Sequence, residues 1–254
     1  MMKTIYLFDV DGTLTPAKSK IEQKFAKDFY NWQTDKEVYI VSGGSFPRIV
    51  DQLGRRIADQ TMGVFSCMGN AYYRKLPDTT GYSSWSLVYK NKFTVKKPRL
   101  FFSELERYVM NSEYHTKTGR HYEERVGMVN FSIVGRNATT KERKEYEEYD
   151  KEHKEREQIV TKLSKKHPQL DFVIGGAVSI DIFNKGNDKG QVFKHLQDKL
   201  KDSQVVFVGD RVTFPGNDYS LAEAVKQHPH GKVFEVDSWQ DTAALLKTDL
   251  FASG

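Results

Sequence analysis

The sequence predicts an α/β protein with a second domain inserted into the first, and three observations carry that reading. Short, almost wholly apolar runs recur between helix-length amphipathic stretches, the pattern of a parallel sheet covered on both faces. Acids, hydroxyls and glycines stand directly behind several of those runs. Between residues 84 and 186 the pattern changes to a visible alternation of apolar and polar positions, the mark of an antiparallel sheet with one wet or ligand-facing side. The expected organisation is a core of residues 1–83 and 187–254, with 84–186 inserted.

Taken in order, the predicted core strands are Thr4–Phe8, Val38–Val41, Gly63–Ser66, Val205–Val208 and Lys232–Val236. Each is a short apolar or β-branched run bounded by polar residues. Helices are expected at Ile21–Thr34, Pro47–Ile57, Lys189–Leu200 and Asp218–Gln227. Strand, loop, helix, strand is doubly wound order, which places ligands at the carboxyl ends of the strands. In the insert, Met128–Val134 sets Val129, Phe131 and Ile133 against Asn130 and Ser132. Val178–Phe183 likewise sets Val178, Ile180 and Ile182 against Ser179 and Asp181. Period two puts Ser179 and Asp181 on one face. The charged stretch Lys141–Gln158 reads as a solvated helix face laced with i,i+4 pairs.

Composition excludes several classes. Among 254 residues, 39 are basic and 34 acidic, for a net charge of +5. That surplus is small for a nucleic-acid partner unless it gathers on one face, and a sugar phosphate would use it more economically. A single cysteine, Cys67, rules out an intrachain disulfide and fits a buried strand end in a reducing compartment. No run approaches the roughly 18 apolar residues of a membrane span, and Met1–Asp11 lacks a signal-peptide pattern. The expectation is a cytoplasmic protein with neither membrane nor nucleic acid as partner. The 7 histidines show no zinc-site spacing.

The chemistry-bearing residues follow the strands. Asp9-Val10-Asp11-Gly12-Thr13 comes straight after the first one. Two carboxylates at a buried strand end are costly to keep ionised without a cation or donors. Read alone, such a pair is as consistent with a structural turn as with a site. Gly12 permits a tight turn, and Thr13 adds a hydroxyl beside backbone N–H groups, which together suit a phosphate. Gly209-Asp210 follows another strand, with Asn217 and Asp218 shortly after, and in a doubly wound sheet both loops reach one crevice. Carboxylates without Cys or His partners favour Mg²⁺. Ser42 ends the second strand, and Lys189 opens the helix after the insert. Asp218 has the alternative reading of a helix cap, Ser42 that of a turn hydroxyl, and any one arginine of the insert, taken singly, that of a surface residue.

DVDGT, a strand-end Ser, a Lys, and GD followed by a further acid resemble the four motifs of haloacid dehalogenase-like (HAD) phosphotransferases. The likeness is closer to the eukaryote-type phosphomannomutases. It rests on DVDGTLT, the long interval of GDRVTFPGND between Asp210 and Asp218, ERVGMVNFSIVGR, Glu142-Arg143 and GGAVSIDIF, and runs from about residue 3 to 236. The resemblance implies a HAD-like doubly wound (Rossmann-like) core with an inserted α+β cap of type C2. It implies that Asp9 is the nucleophile, carrying the phosphoryl group as an aspartyl phosphate, and that Asp11 is the general acid and base. Mg²⁺ would be held by Asp9, the backbone carbonyl of Asp11, and Asp210, with Asp218 supporting the loop. Ser42 and Lys189 would bind the transferring phosphoryl oxygens. The cap residues Arg125, Arg136 and Arg143 would bind the distal phosphate, guanidinium forks being suited to it, with Ser179 and Asp181 on phosphate and sugar hydroxyls.

The implied reaction interconverts mannose 6-phosphate and mannose 1-phosphate, with glucose 1,6-bisphosphate or mannose 1,6-bisphosphate as activator. A Mg²⁺-dependent sugar-phosphate phosphatase is the alternative, and a homodimer through the cap is the implied assembly. The chain departs from the family pattern at Lys18, where arginine is usual for substrate binding, at Val126 for asparagine, and at Phe46 for aspartate. The last leaves Ser45 as an alternative to Ser42. Met68-Gly69-Asn70 only approximates the family's loop after the third strand.

Overall fold

The computed structural model describes residues 2–76, 84–248 and 251. In chain order, β1 (Lys3–Phe8), α1 (Gln23–Gln33), β2 (Glu37–Val41), α2 (Phe46–Leu53), α3 (Arg55–Ala58), β3 (Gly63–Ser66), β4 (Ala71–Lys75) and β5 (Trp85–Lys90) come first. The insert holds α4 (Pro98–Asn111), β6 (Tyr122–Arg125), β7 (Met128–Phe131), α5 (Thr140–His153), α6 (Glu155–Lys166), β8 (Leu170–Gly175) and β9 (Ser179–Asn184). The chain ends with α7 (Gln191–Leu200), β10 (Ser203–Gly209), α8 (Tyr219–Lys226), β11 (Gly231–Glu235) and α9 (Trp239–Leu245). Two compact units result, one from the chain up to Lys90 and from Asp188 onward, the other from Asn91–Asn187.

The first unit is a seven-stranded sheet in the order β11-β10-β1-β2-β3-β4-β5. Its first five strands are parallel, and β4 and β5 close the edge antiparallel. Alternation along the buried strands feeds both faces. Tyr6, Phe8, Val38, Ile40, Val206 and Val208 pack with Phe25 and Phe29 of α1 and Ile49 and Leu53 of α2. Ile5, Leu7, Tyr39, Val41, Val205 and Phe207 pack with Val192 and Leu196 of α7 and Leu221 and Val225 of α8. Each large apolar side chain so buried contributes about 1.5–3 kcal/mol. The chain runs outward from β1 to β2 on one side and returns through β10 on the other, so the strand order reverses at β1. The carboxyl ends of β1, β2 and β10 meet there, the place where an open α/β sheet binds ligands.

Two features of this unit differ from the sequence expectation. The boundary expected at 84 falls just ahead of β5, whose ladder with β4 makes Trp85–Lys90 part of the first sheet. Residue 83 itself lies outside the described residues. The helix expected over Pro47–Ile57 is two helices, because Gly54 adopts φ +78 between α2 and α3.

The second unit is a four-stranded antiparallel sheet, β6-β7-β9-β8. Val129, Phe131, Ile180 and Ile182 turn one face toward Phe101 and Leu105 of α4, Tyr146 of α5, and Ile159 and Leu163 of α6. Asn130 and Asp181, paired in register, hold alternate positions on those strands and so belong to the opposite face. Regular β7 stops at Phe131, short of the expected Val134. The segment Lys141–Gln158 is not one solvated helix, since Lys154 at φ +53 breaks it into α5 and α6. Its outer face carries loose pairs such as Lys141–Glu145 at 3.7 Å. Asp150 and Arg156 are instead buried, paired at 2.8 Å. Among the described residues no helix is long and apolar enough to cross a membrane.

Candidate active site

In the first unit β1 delivers Asp9, β2 delivers Ser42, and β10 delivers Gly209 and Asp210 to neighbouring strand ends. Asp9 continues the ladder, its N–H donating to Val208 O at 3.0 Å. Lys189, ahead of α7, reaches this point fully buried. Its Nζ donates to Asp9 Oδ1 and to Asp218 Oδ1, each at 2.6 Å. Asp218 occupies the N-cap position of α8, yet its side chain makes no cap bond. It accepts from Lys189 and from Arg211 N–H, the latter at 3.2 Å. Asp9, Asp210 and Asp218 can each offer one oxygen such that all three lie within 4.8 Å of one another.

One buried ammonium pairs with two of the three carboxylates, and Asp210 has the half-buried Arg211 Nε at 3.6 Å. Burial pushes Asp9 well above the usual carboxylate range, with Lys189 opposing the shift and the charges of Asp218 and Asp210 adding to it. Asp210 is pushed up to about 7, first by burial and then by Asp218. For Lys189, burial favours the neutral amine, but Asp218 and Asp9 outweigh it and hold the group above its ordinary value. An all-oxygen set that remains short of positive charge suits a hard divalent cation such as Mg²⁺. Gly12 shapes the same loop. At φ +90, a Cβ there would lie 2.5 Å from Asp210 Oδ2, so no other residue fits without moving that carboxylate. The buried Thr13 Oγ1 has no hydrogen-bond partner within the protein, leaving a hydroxyl in the loop for a ligand oxygen.

Asp11 stands outside the carboxylate cluster. Its Oδ1 accepts Lys18 N–H at 2.5 Å and Gln52 Nε2–H at 2.9 Å. Lys18 thus bears on the site through its backbone, turned by a left-handed φ of +59. Ser42 is buried, with Oγ accepting Gly44 N–H at 3.1 Å. Ser45 is the N-cap residue of α2 and makes no side-chain cap bond.

In the second unit, Arg125 Nη2 and Arg136 Nη2 converge on one oxygen, Glu123 Oε2, at 2.7 and 2.5 Å. Arg136 Nη1 also donates to Asn130 Oδ1 at 2.5 Å, and Asn130 Nδ2 donates to Asp181 Oδ1 at 2.6 Å. The Asn130 amide therefore ties a candidate arginine to a candidate aspartate. Arg143 also engages the backbone of this unit. Its Nε and Nη2 donate to the carbonyls of Ala138 and Arg136, bracing the turn that carries Arg136. Ser179 is buried at the start of β9, and its carbonyl accepts from Arg156 at 3.4 Å. Gln52, Glu123 and Asn130 were not among the residues expected from sequence. Asn130 alone had a signal, as a polar position in an alternating strand.

Comparison with known proteins agrees with this geometry. The sequence profile of the eukaryotic phosphomannomutases matches residues 25–252. The chain is 34% identical to the phosphomannomutase of Saccharomyces cerevisiae over 251 residues, covering 98% of this chain and 94% of that one. It is 33% identical to phosphomannomutase 2 of Dictyostelium discoideum over 259 residues, covering 98% and 97%. Among solved structures, a haloacid dehalogenase-like hydrolase from Bacteroides thetaiotaomicron superposes with a TM-score of 0.57 at 13% identity, covering 96% of this chain and 92% of that one. An N-terminally truncated Plasmodium falciparum IMP-nucleotidase gives 0.62 at 14% identity, covering 97% and 70%. Those structures establish the HAD-like, Rossmann-like core, and the full-length sequence matches establish the rest: the chain belongs to the eukaryotic phosphomannomutase family.

Proposed function

We propose that this protein interconverts mannose 6-phosphate and mannose 1-phosphate, using a hexose 1,6-bisphosphate as activator. Residues up to 90 and from 188 would form the catalytic core, and 91–187 the substrate-selecting cap. The observation that carries a mutase over a phosphatase is the pair of guanidiniums, Arg125 and Arg136, already closed on a single carboxylate oxygen of Glu123. Two forks meeting on one anionic oxygen form a ready phosphate receptor, and a mutase must bind a second phosphate away from the reacting one.

The core residues supply the transfer. The Asp9 carboxylate attacks phosphorus of the bisphosphate, the bond from phosphorus to the sugar oxygen breaks, and Asp11 gives that oxygen its proton. The opposite hydroxyl of the next sugar then attacks the aspartyl phosphate, returns a proton to Asp11 and frees Asp9. Lys189 neutralises charge on Asp9 and on the moving phosphoryl group, and Ser42 and Thr13 offer hydroxyls to its oxygens. Mg²⁺ held by Asp9, Asp210 and the Asp11 carbonyl, with Asp218 supporting, would supply electrostatic stabilisation of phosphoryl oxygens. A bound, oriented hydroxyl can reach an effective molarity of about 10⁵ M, so it outruns water for the aspartyl phosphate. Arg143 would bind the distal phosphate beside Arg125 and Arg136 while its Nε and Nη2 brace the turn of Arg136, and Ser179 and Asp181 would meet phosphate and sugar hydroxyls. Lys18 would reach the substrate through its side chain.

A homodimer through the cap is in keeping with α4, which leaves Leu100 and Met110 63% and 69% exposed. A cytoplasmic home is in keeping with the single free thiol. The deciding experiment incubates the protein with mannose 1-phosphate, Mg²⁺ and a trace of hexose 1,6-bisphosphate. Mannose 6-phosphate should accumulate with little inorganic phosphate. Phosphate release in step with substrate loss would make the protein a phosphatase instead.

A further inference from the structure

Gln52 is a glutamine on a helix face that otherwise buries Ile49, Val50 and Leu53, and it is itself buried. Its amide has one workable orientation. Oε1 accepts from Arg48 Nε at 3.3 Å, while Nε2 faces Asp11 Oδ1 at 2.9 Å, Thr15 Oγ1 at 3.3 Å and Ser19 O at 3.3 Å. Reversing it would set an oxygen against a carboxylate and a carbonyl. Asp11 Oδ1 receives a second donor, the backbone N–H of Lys18, at 2.5 Å. The two donors take up both lone-pair sites of Oδ1, and neither N–H can accept a hydrogen bond in return, so a proton on Oδ1 would have to displace one of them. Only Oδ2 is left for the proton that Asp11 gives and takes.

We propose that Gln52 is a positioning residue for Asp11, acting with the Lys18 N–H to occupy Oδ1 and so assign proton transfer to Oδ2. This rests on the proposed acid–base role of Asp11. Gln52 also holds the same loop through its own carbonyl, which accepts Ile21 N–H at 2.8 Å, so a role confined to shaping the loop is the competing account.

Leaving-group chemistry separates the two. Transfer of a phosphoryl group from a hexose 1,6-bisphosphate to Asp9 expels a sugar oxygen, which needs a proton. Transfer from acetyl phosphate expels acetate, which does not. Protein-bound phosphate would be followed with each donor, in Mg²⁺, for Gln52→Leu and for the isosteric Gln52→Glu, which keeps the packing. Both variants should slow transfer from the bisphosphate by about tenfold or more and alter transfer from acetyl phosphate by less than about twofold. In an Asp11→Asn background, Gln52→Leu should add no further loss with the bisphosphate, because the two act as one unit. An equal loss with both donors would reduce Gln52 to a loop support, and no loss with either would overturn the proposal. If Asp11→Asn itself leaves bisphosphate transfer intact, the assignment of Asp11 falls, and the role of Gln52 with it. An intact Gln52→Leu beside a crippled Asp11→Asn removes only the role of Gln52.

Discussion

Lys189 Nζ lies 2.6 Å from Asp9 Oδ1, with both side chains buried, and that ammonium is shared at the same distance with Asp218. Removing one partner of a buried ion pair leaves an uncompensated charge, which costs more than the pair itself contributes. Lys189→Met should therefore destabilise the metal-free protein by about 3–5 kcal/mol, read from urea unfolding. The double variant Lys189→Met, Asp218→Asn should recover part of that loss. A single variant as stable as the parent would show that the three acids are already neutral without the lysine.

Asp210 gives the acid cluster a pH signature. Its value in the folded protein, about 7, lies above the ordinary 3.8, so between those values the folded state binds more protons than the unfolded state. Stability of the metal-free protein must then fall as pH rises through that window, and Asp9, shifted the same way, adds to the slope. Mg²⁺ selects the ionised acids and opposes the trend. The rise in Tm on adding Mg²⁺ should be larger near pH 8 than near pH 5.5, measured by calorimetry. An equal rise at both would dissociate the cation from this cluster.

Gly12→Ala tests how closely the nucleophile loop and the β10 loop are fitted. The added Cβ meets Asp210 Oδ2 at 2.5 Å on a backbone at φ +90. A strain of about 1–3 kcal/mol is expected, together with weakened Mg²⁺ stabilisation, since the displaced carboxylate is one of the clustered three. Parent-like unfolding and Mg²⁺ response would refute the close fit.

Asn130 is the test in the cap. Asn130→Leu removes an acceptor from Arg136 and a donor from Asp181, both at buried or half-buried positions, at a cost of about 1–3 kcal/mol. The KM for hexose phosphate should rise, while transfer from acetyl phosphate to Asp9, which has no sugar to hold, should not change. A loss with both donors would point to a general defect in folding.

The strands buried on both faces were legible because their burial writes near-continuous apolar runs, as in Tyr6-Leu7-Phe8 and Val205–Val208. β4 and β5 were not, since residues such as Arg74 and Lys75 mix charge into a half-buried edge. Gly54 was visible, but Ile57 continued the apolar pattern past it and hid the break. The acids at strand ends were readable one loop at a time. That Lys189 joins Asp9 across 180 residues is decided by the crossover between β1 and β10, which no local pattern encodes. The partnership of Asn130 with Asp181 depends in the same way on the register of β7 and β9. Arg143 shows the opposite limit, because its motif position does not reveal that two of its nitrogens bind backbone carbonyls.

The order of β10, β1 and β2 in the sheet also has a consequence for synthesis. β1 is a central strand, and of its two neighbours only β2 is translated soon after it; β10 comes after the whole insert. A nascent chain that has emerged as far as residue 90 thus carries a bare apolar strand edge and an acid whose counter-charge does not yet exist. Such an edge is open to wrong pairing. Completion of this core must wait for the segment from Asp188 onward, and chaperone demand should peak while the insert is being made.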